Sequence, residues 1–549
     1  MSTLAPLLPG LVAETTNIPD DEIPGTLETV IMEAIHPELG GVAKVTAVKV
    51  FRSRCINDFL GIMDGHSDEL HMFSVSLFNK HIQPQSWLLD GGRRSGTGCW
   101  GDEMNRGDIV YILSLEVQPS HRRQGLGTWV LQKLLSSSNV KYDDIVYCWP
   151  TAERSALTPE ARKVDVNGQL AFYQKNGFRR VGKTDFIGYS PKPSHKSRLV
   201  PESSDATPIS GDSALEGQVE LLPLHKSIVE LNTPEIEGII QTSYDTDPSS
   251  IHRVDAYGFT PVHLALADLN IHALRKLIAL GVTEDLRNSD NTKCLTPLEM
   301  LLETMRSNRE FSETVLGSWN GYGKPELLAE FCVKRALGEI EDTVPEATFE
   351  SKRKWGCTCG ACFGGYMSPR MCYRLKHQGA LIMDMMEQNM YMFKRGKPLE
   401  DMDGLFDIST DYLPWGLRSS MYKTFYKGYQ TLFATIYAIS GSVNTPATVT
   451  SLASLVAGNP DVSCYLSKGG RYEYALDAVT SVAREQSCLG DGTFDEMYED
   501  EAEVGTEFTG LLKCANDLEF ELVRRLIGLD PEERWGPYYD MDDDDSDVD

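Results

Sequence analysis

The sequence predicts an α/β domain over about residues 43–190, followed by a mainly α-helical half. Three observations carry that reading. Strand-like and helix-like runs alternate through the first segment. A stretch rich in Pro, Ser and acids then breaks the pattern. Beyond it, helical spacing and a weak internal repeat replace the strands.

The elements follow in order. VTAVKVF (45–51) has the β-branched content of a strand, and DIVYILSLEV (108–117) reads as a long apolar strand. TWVLQKLL (128–135) has helical spacing, and DIVYCW (144–149) is a further strand. NGQLAFYQKNGF (167–178) reads as a helix closed by Gly177 ahead of another strand. Residues 1–42, with Pro and acids, read as an N-terminal lead, and residues 191–218 as a linker. Residues 219–345 hold the repeat, residues 346–530 a cysteine-containing helical domain, and residues 531–549 an acidic disordered tail.

The chain has 549 residues, enough for about three to four domains. Its net charge of −28 is unevenly spread. Residues 1–200 carry 22 basic and 22 acidic residues, whereas the last 59 carry 4 and 21. Residues 351–380 reverse the trend, with six basic residues and no acid. Such an acidic chain is a poor general nucleic-acid binder, because phosphate neutralisation needs clustered Lys and Arg. No apolar run is long enough to predict a membrane span. The N-terminus lacks the basic region of a secretory signal, and the cysteine usage points to a reducing compartment, cytoplasmic or nuclear.

The strand 108–117 leads into His121-Arg122-Arg123-Gln124-Gly125-Leu126-Gly127-Thr128. Free amides and the positive end of a helix dipole would favour an anion here. The glycines would let the backbone approach a diphosphate, and Arg122 and Arg123 add donors. No Lys-Ser/Thr follows, so this is not a Walker loop, and Val130 breaks the dinucleotide fingerprint. On this stretch alone, a turn whose glycines serve only geometry is the alternative.

Leu115-x-Val117 followed by Arg122-x-x-Gly125-x-Gly127 resembles motif A of the GNAT superfamily of N-acetyltransferases. Ala171-Phe172-Tyr173-Gln174-Lys175-Asn176-Gly177-Phe178 resembles that family's motif B, with one strand between the two. The resemblance implies a GNAT fold, a mixed sheet splayed between two strands and flanked by helices. It implies acetyl-CoA as co-substrate, with Leu115 and Val117 pairing the pantetheine arm. Arg122, Arg123, Gln124, Gly125, Leu126, Gly127 and Thr128 would hold the pyrophosphate. Tyr173 would be the general acid for the thiolate. The implied reaction is transfer of acetyl to a primary amine by direct attack in a ternary complex. A non-catalytic acyl-CoA-binding scaffold is the alternative. Two departures stand out. The family's usual base positions carry Tyr111 and Leu113, leaving Glu103, Asp108 or a water chain as candidates; alternation puts Glu116 on the face of Ile112. Asn167 lies six residues before Tyr173, where the family places an Asn at seven.

Leu222-Pro223-Leu224-His225, Thr260-Pro261-Val262-His263-Leu264-Ala265 and Thr296-Pro297-Leu298-Glu299 recur at intervals of 38 and 36 residues. The middle copy resembles an ankyrin repeat, which implies protein recognition, with His225 and His263 as structural residues. The alternative is a helical domain whose repeats only pack together. Cys357, Cys359, Cys362 and Cys372, with His377 nearby, admit either zinc or buried reduced thiols, and no metal ligand is assigned. Gly364–Met371 resembles a segment of fungal ankyrin-containing proteins. The Met-rich run 382–392 reads as core or a docking face. The expected acceptor is a Lys-bearing protein or a polyamine, attracted by the acidic half.

Overall fold

The computed structural model describes residues 8–20, 23–55, 58–151, 158–209, 222–394, 396–399, 408–418, 421–440, 446–486 and 504–538. The chain divides into two compact units. One is built mainly from residues up to Trp319, the other mainly from residue 341 onward.

The first unit opens with a seven-stranded sheet. Its strands are β1 (Val12–Pro19), β2 (Leu27–His36), β3 (Gly40–Val50), β4 (Ile109–Val117), β5 (Ile145–Cys148), β6 (Arg179–Arg180) and β7 (Ile187–Tyr189). Their spatial order is β1-β2-β3-β4-β5-β7-β6. Every pair is antiparallel except β4 and β5, which run parallel. A parallel pair needs a crossover, and α3 (Leu126–Leu135) supplies it. The segment read as a lead therefore contains β1 and β2. β1 is a mostly exposed edge strand, and such a strand shows little apolar alternation. β2 does alternate, burying Val30, Met32 and Ala34.

Each face of the sheet carries its own core. α3 and α4 (Pro159–Lys175) border one, where Trp129, Val130, Leu134 and Tyr173 meet Val45, Ala47, Val110 and Ile112. α1 (Phe59–His66) and α2 (Asp68–Leu77) border the other, where Phe59, Phe73 and Leu77 meet Val48, Tyr111 and Tyr147. Asp58 and Ser67 cap these two helices by accepting amide hydrogen bonds from Gly61 and Leu70.

The stretch after residue 190, read as a linker, is docked as far as residue 209. Arg179 Nε donates to Val200 O at 2.7 Å, and Arg180 Nε to Ala206 O at 2.9 Å. Gln174 donates to Asp205 at 2.8 Å, and Ile209 N to Lys183 O at 2.8 Å. Composition pointed to a linker because Pro and Ser dominate, but these residues spend their polar groups on the domain. Residues 210–221 lie outside the described ones.

Helices follow in pairs: α5 (Pro223–Glu230) with α6 (Glu235–Thr246), and α7 (Pro261–Ala267) with α8 (Ile271–Ala279), before the long α9 (Pro297–Leu316). α5 packs on α7 and α7 on α9, while α6 packs on α8. His225 Nε2 donates to Phe259 O at 3.1 Å, and Asn291 contacts His263 Nε2 at 3.3 Å. Each Thr-Pro starts a helix, and Thr260 and Thr296 close capping boxes.

The second unit is helical. After α10 (Lys324–Ala336) come α11 (Glu346–Arg353), α12 (Pro369–Asn389), α13 (Trp415–Arg418), α14 (Lys423–Ser440), α15 (Val449–Leu455), α16 (Pro460–Ser467), α17 (Tyr472–Gln486), α18 (Val504–Thr509) and α19 (Phe520–Ile527). α12 packs on α14 and α17, and α14 on α16. Gly379 permits the first approach, since a Cβ there would sit 3.4 Å from Ile436 and the Phe433 carbonyl. Ile382 and Met386 of the Met-rich run are core residues. Residues 531–538 are packed rather than tail-like: Gly536 N donates to Asp477 Oδ2 at 2.9 Å and Tyr538 N to Asp411 O at 2.7 Å. The acidic run from 539 lies outside the described residues.

Phe73 is fully buried, with ring centroids 4.7 Å from Tyr111 and 5.1 Å from Tyr147. Phe73→Ala is expected to cost about 3–5 kcal/mol in the unfolding of the first unit, measured by urea denaturation. A loss below about 1 kcal/mol would contradict this packing.

Candidate active site where β4 and β5 part

β4 and β5 pair over only four positions, Ile109–Ile112 against Ile145–Cys148. β5 then ends, while β4 runs on to Val117. On its other side β4 stays paired with β3 out to Val117. The backbone of Leu113–Val117 therefore presents a free strand edge to the gap left by β5. Such an edge can take an extended, amide-bearing ligand as an added strand. The opposite end of the pair is clamped. Lys49 Nζ lies 3.3 Å from Asp144 and 3.7 Å from Asp108, and Asp108 N donates to Asp144 Oδ1 at 2.9 Å.

The β3–β4 register slips by one residue between Thr46 and Ala47, which face Ser114 and Ile112 and leave Leu113 as the extra residue. This bulge changes the side-chain phase. Val110 and Ile112 share one core with Leu115 and Val117, whereas Tyr111 and Leu113 belong to the other. Simple alternation placed Glu116 on the face of Ile112. The bulge moves it to the face of Tyr111, exposed and opposite Lys44.

The strand leads into Pro119–His121, a single 3-10 turn, and then into the glycine loop. Arg123 has φ +60° and Gly125 φ +83°, both left-handed. Left-handed residues among right-handed ones turn successive amides toward one point, an anion-binding arrangement. Among the described residues, no backbone carbonyl accepts from the amides of Arg123 to Thr128. Arg122, Arg123, Gln124 and Gly125 are exposed, while Leu126 is buried. Arg122 Nε donates to Val117 O at 3.1 Å and Gln124 Nε2 to Ser120 O at 3.2 Å, bracing the loop. Gly127 lets α3 lie close to β4 and α4, because a Cβ there would be 3.4 Å from both Leu115 and Phe172. These residues fit a diphosphate on geometric grounds: free amides, an αL glycine and two exposed guanidinium groups.

α4 delivers Tyr173 to the same place. The helix stops at Asn176-Gly177, where Gly177 has φ +92° and Phe178 N donates back to Tyr173 O at 3.1 Å. Asn176 Nδ2 donates to Phe172 O at 2.8 Å and reaches Thr128 Oγ1 at 3.5 Å, tying α4 to the start of α3. The Tyr173 phenol shares its buried surroundings with the Cys148 thiol, at the last paired position of β5. Burial, then Cys148 and Glu69, push the Tyr173 phenol well above its ordinary value. It therefore keeps its proton at neutral pH.

Sequence reasoning missed Glu69, in the first turn of α2. Tyr111 OH donates to Glu69 Oε1 at 2.8 Å. Burial raises the Glu69 carboxyl, against the opposing hydrogen bond from Tyr111. Burial and then Glu69 raise the Tyr111 phenol strongly. Glu69, Tyr111, Cys148 and Tyr173 thus share one electrostatic environment at the point where the strands separate. The available signal was Ser67 followed by Leu70, Phe73 and Leu77, a capped helix with one apolar face.

The other candidate bases are engaged elsewhere. Glu103 accepts from Gly101 N at 2.7 Å and faces His195 Nε2 at 3.0 Å. Burial pushes its carboxyl up, but these bonds outweigh that and leave it below its ordinary value. Asp108 sits at the clamped end of β4 with Lys49 and Lys141. Asn167 is exposed on α4. In the second unit, Cys357, Cys359 and Cys362 converge, but the fourth sulfur of the group is that of Cys514, not Cys372. His377 instead packs against Tyr373 with tilted rings, 4.2 Å between centroids.

No curated protein and no solved structure matches the chain. The acetyltransferase (GNAT) domain family matches residues 84–180, a span that contains β4, the glycine loop, α3, β5 and Tyr173 but ends short of Glu69 on the N-terminal side. Residues 84–180 are a GNAT acetyltransferase domain, which implies acyl transfer from an acyl-CoA.

Proposed function

We propose that the first unit is an N-acetyltransferase that uses acetyl-CoA and acts on a primary amine in a ternary complex. The observation that carries the reading is the free β4 edge running into the unpaired amides of Arg123–Thr128, with Tyr173 where the strands part. When bound, acetyl-CoA supplies an activated thioester. Leu115 and Val117 bind its pantetheine arm through their backbone, and Arg122, Arg123, Gln124, Gly125, Leu126, Gly127 and Thr128 hold its pyrophosphate. Glu69, with Tyr111, takes the proton from the attacking amine. As the C–N bond forms and the C–S bond breaks, Tyr173 donates its proton to the leaving sulfur, and solvent restores both groups. A carboxylate raised by burial and a phenol held neutral suit this division of labour.

The acceptor we favour is a Lys-bearing protein or a polyamine, supported by the net charge of −28. Residues 219–345 act in partner or substrate recruitment as ankyrin-like repeats. That reading is supported by the stacked pairs α5–α6 and α7–α8 and by His225 reaching the Phe259 turn. The enzyme works in the cytoplasm or nucleus, without nucleic acid or membrane. No described helix is long and apolar enough to cross a membrane. A non-catalytic acyl-CoA-binding scaffold is the second reading, favoured by Tyr173 being only 7% exposed.

Gly125→Glu should weaken acetyl-CoA binding at least tenfold by calorimetry, since it puts a side chain and a negative charge on an αL anion-site residue; unchanged affinity would refute the loop assignment. With Lys peptides and polyamines as acceptors, Tyr173→Phe should lower kcat by about a hundredfold while leaving acetyl-CoA affinity intact. Binding without turnover on any amine would favour the scaffold. Glu69 works as the carboxylate, so kcat/KM should fall as pH drops through a pKa above the usual carboxylate value. Glu69→Gln should remove that acid limb; an unchanged limb would rule Glu69 out as the base.

A further inference from the structure

The second unit brings four cysteine thiols together at one point. Three cysteines come from one tight turn, Cys357-Thr358-Cys359-Gly360-Ala361-Cys362, and the fourth is Cys514, far along the chain. Their sulfurs all lie within 4.8 Å of one another. Cys357 and Cys359 are 3.8 Å apart, Cys359 and Cys362 are 3.8 Å apart, and Cys362 and Cys514 are 3.4 Å apart. All four cysteines are free, so no disulfide accounts for the convergence. A tetrahedral zinc with Zn–S bonds of about 2.3 Å places its sulfurs ~3.8 Å from each other. The spacing is that of ligands around one ion.

The surroundings suit thiolates. Thr358 N donates to Cys514 Sγ at 3.3 Å, Gly360 N to Cys357 Sγ at 3.2 Å and Ala361 N to Cys359 Sγ at 3.4 Å. Asn516 Nδ2 points at Cys362 Sγ from 3.9 Å. Each sulfur thus has an N–H directed at it, the usual outer arrangement around metal-bound cysteine. Gly360, at φ +72°, lets the turn wrap all three sulfurs round one point. Cys357 and Cys362 are buried and the other two half-buried.

The neighbouring motif Gly364–Met371 gains a role from this geometry. Ser368 Oγ donates to Asp517 Oδ1 at 2.6 Å, while Asp517 Oδ2 accepts from Cys514 N at 2.9 Å. Arg374 Nη1 donates to Asp517 O at 2.9 Å, and Asn516 Nδ2 to Gly365 O at 3.0 Å. Ser368 also caps α12, accepting from Met371 N at 3.0 Å. These residues hold the Cys514 loop against the three-cysteine turn.

We propose that Cys357, Cys359, Cys362 and Cys514 bind one zinc ion as a closed tetrathiolate site that fastens the Cys514 loop to the start of α12. Four protein ligands leave no open position, so the role is structural rather than catalytic. Binding releases the thiol protons, and the ion cross-links segments 152 positions apart. A single ion fits better than an iron–sulfur cluster, whose cysteines ligate separate irons and stand further apart.

The test uses the full chain, purified under reducing conditions, reconstituted with zinc chloride and freed of excess metal by gel filtration. Elemental analysis should find about one zinc per chain. Cys514→Ser should lose most of it, whereas Cys372→Ser should keep it. Cobalt in place of zinc should give the intense visible bands of a tetrahedral tetrathiolate, a readout that needs no variant to fold. The proposal falls if the wild type holds less than about a tenth of an equivalent of zinc. It falls equally if cobalt gives a weak octahedral spectrum, or if Cys372→Ser loses as much metal as Cys514→Ser.

Discussion

The GNAT domain depends on how β4 and β5 are held at one end and released at the other. Lys49 lies between Asp108 and Asp144, which immediately precede the two strands, and Asp144 also accepts from Asp108 N. Removing Lys49 would leave the buried Asp144 carboxylate without its cation, so the clamp is costly to open. Four residues later the pairing ends, because β5 is short and β4 is kept on β3. Release at that point puts a free strand edge, a bulge and two phenols in one small volume. The glycine loop follows directly from the freed strand, so one separation positions both the extended-ligand edge and the anion site.

The same separation explains the proton inventory. Tyr111 belongs to one core and Tyr173 to the other, on opposite faces of the sheet. Where the sheet is intact such groups are screened by backbone. At the split, burial raises both phenols and Glu69 adds to both shifts. Low polarity keeps the phenols protonated and makes Glu69 a stronger base than an exposed carboxylate. On the proposed reading, the carboxylate and the phenol on either side of this gap would serve as base and acid. Their tuning arises from burial, with no cationic side chain needed.

Much of this was legible in the residues. The runs 108–117, 128–135 and 144–149 have unbroken periodicity and became β4, α3 and β5 with ends shifted by at most two residues. The glycine loop and Tyr173 were visible as motifs. The bulge at Leu113 was not, because a single extra residue leaves the apolar run intact while reversing the faces beyond it. Glu69 was hidden because its partner, Tyr111, is 42 positions away. Cys514 was hidden for the same reason. Cys372 looked better placed along the chain, yet three-dimensional proximity came from the Ser368–Asp517 contact. The presumed linker shows the opposite failure: its composition was read correctly, but composition does not reveal that Asp205 and Arg198 have partners on the domain.

The long helix α9 joins the helical pairs to the sheet domain. Its acids meet the loop before β4: Glu299 with Arg93 at 2.7 Å, Glu303 with Arg94 at 3.6 Å and Glu313 with Lys80 at 2.5 Å. Arg306 lies over Trp87, 4.9 Å from the ring centroid. One such exposed pair contributes about 0–1 kcal/mol, but several along one helix, with a cation–π contact among them, act as a seam. The repeats are therefore fastened to the transferase domain through side chains. A flexible tether would only keep the helical pairs near the domain. A seam also fixes the orientation of the helical pairs against the loop before β4, because ion pairs spread from Glu299 to Glu313 hold α9 along its length.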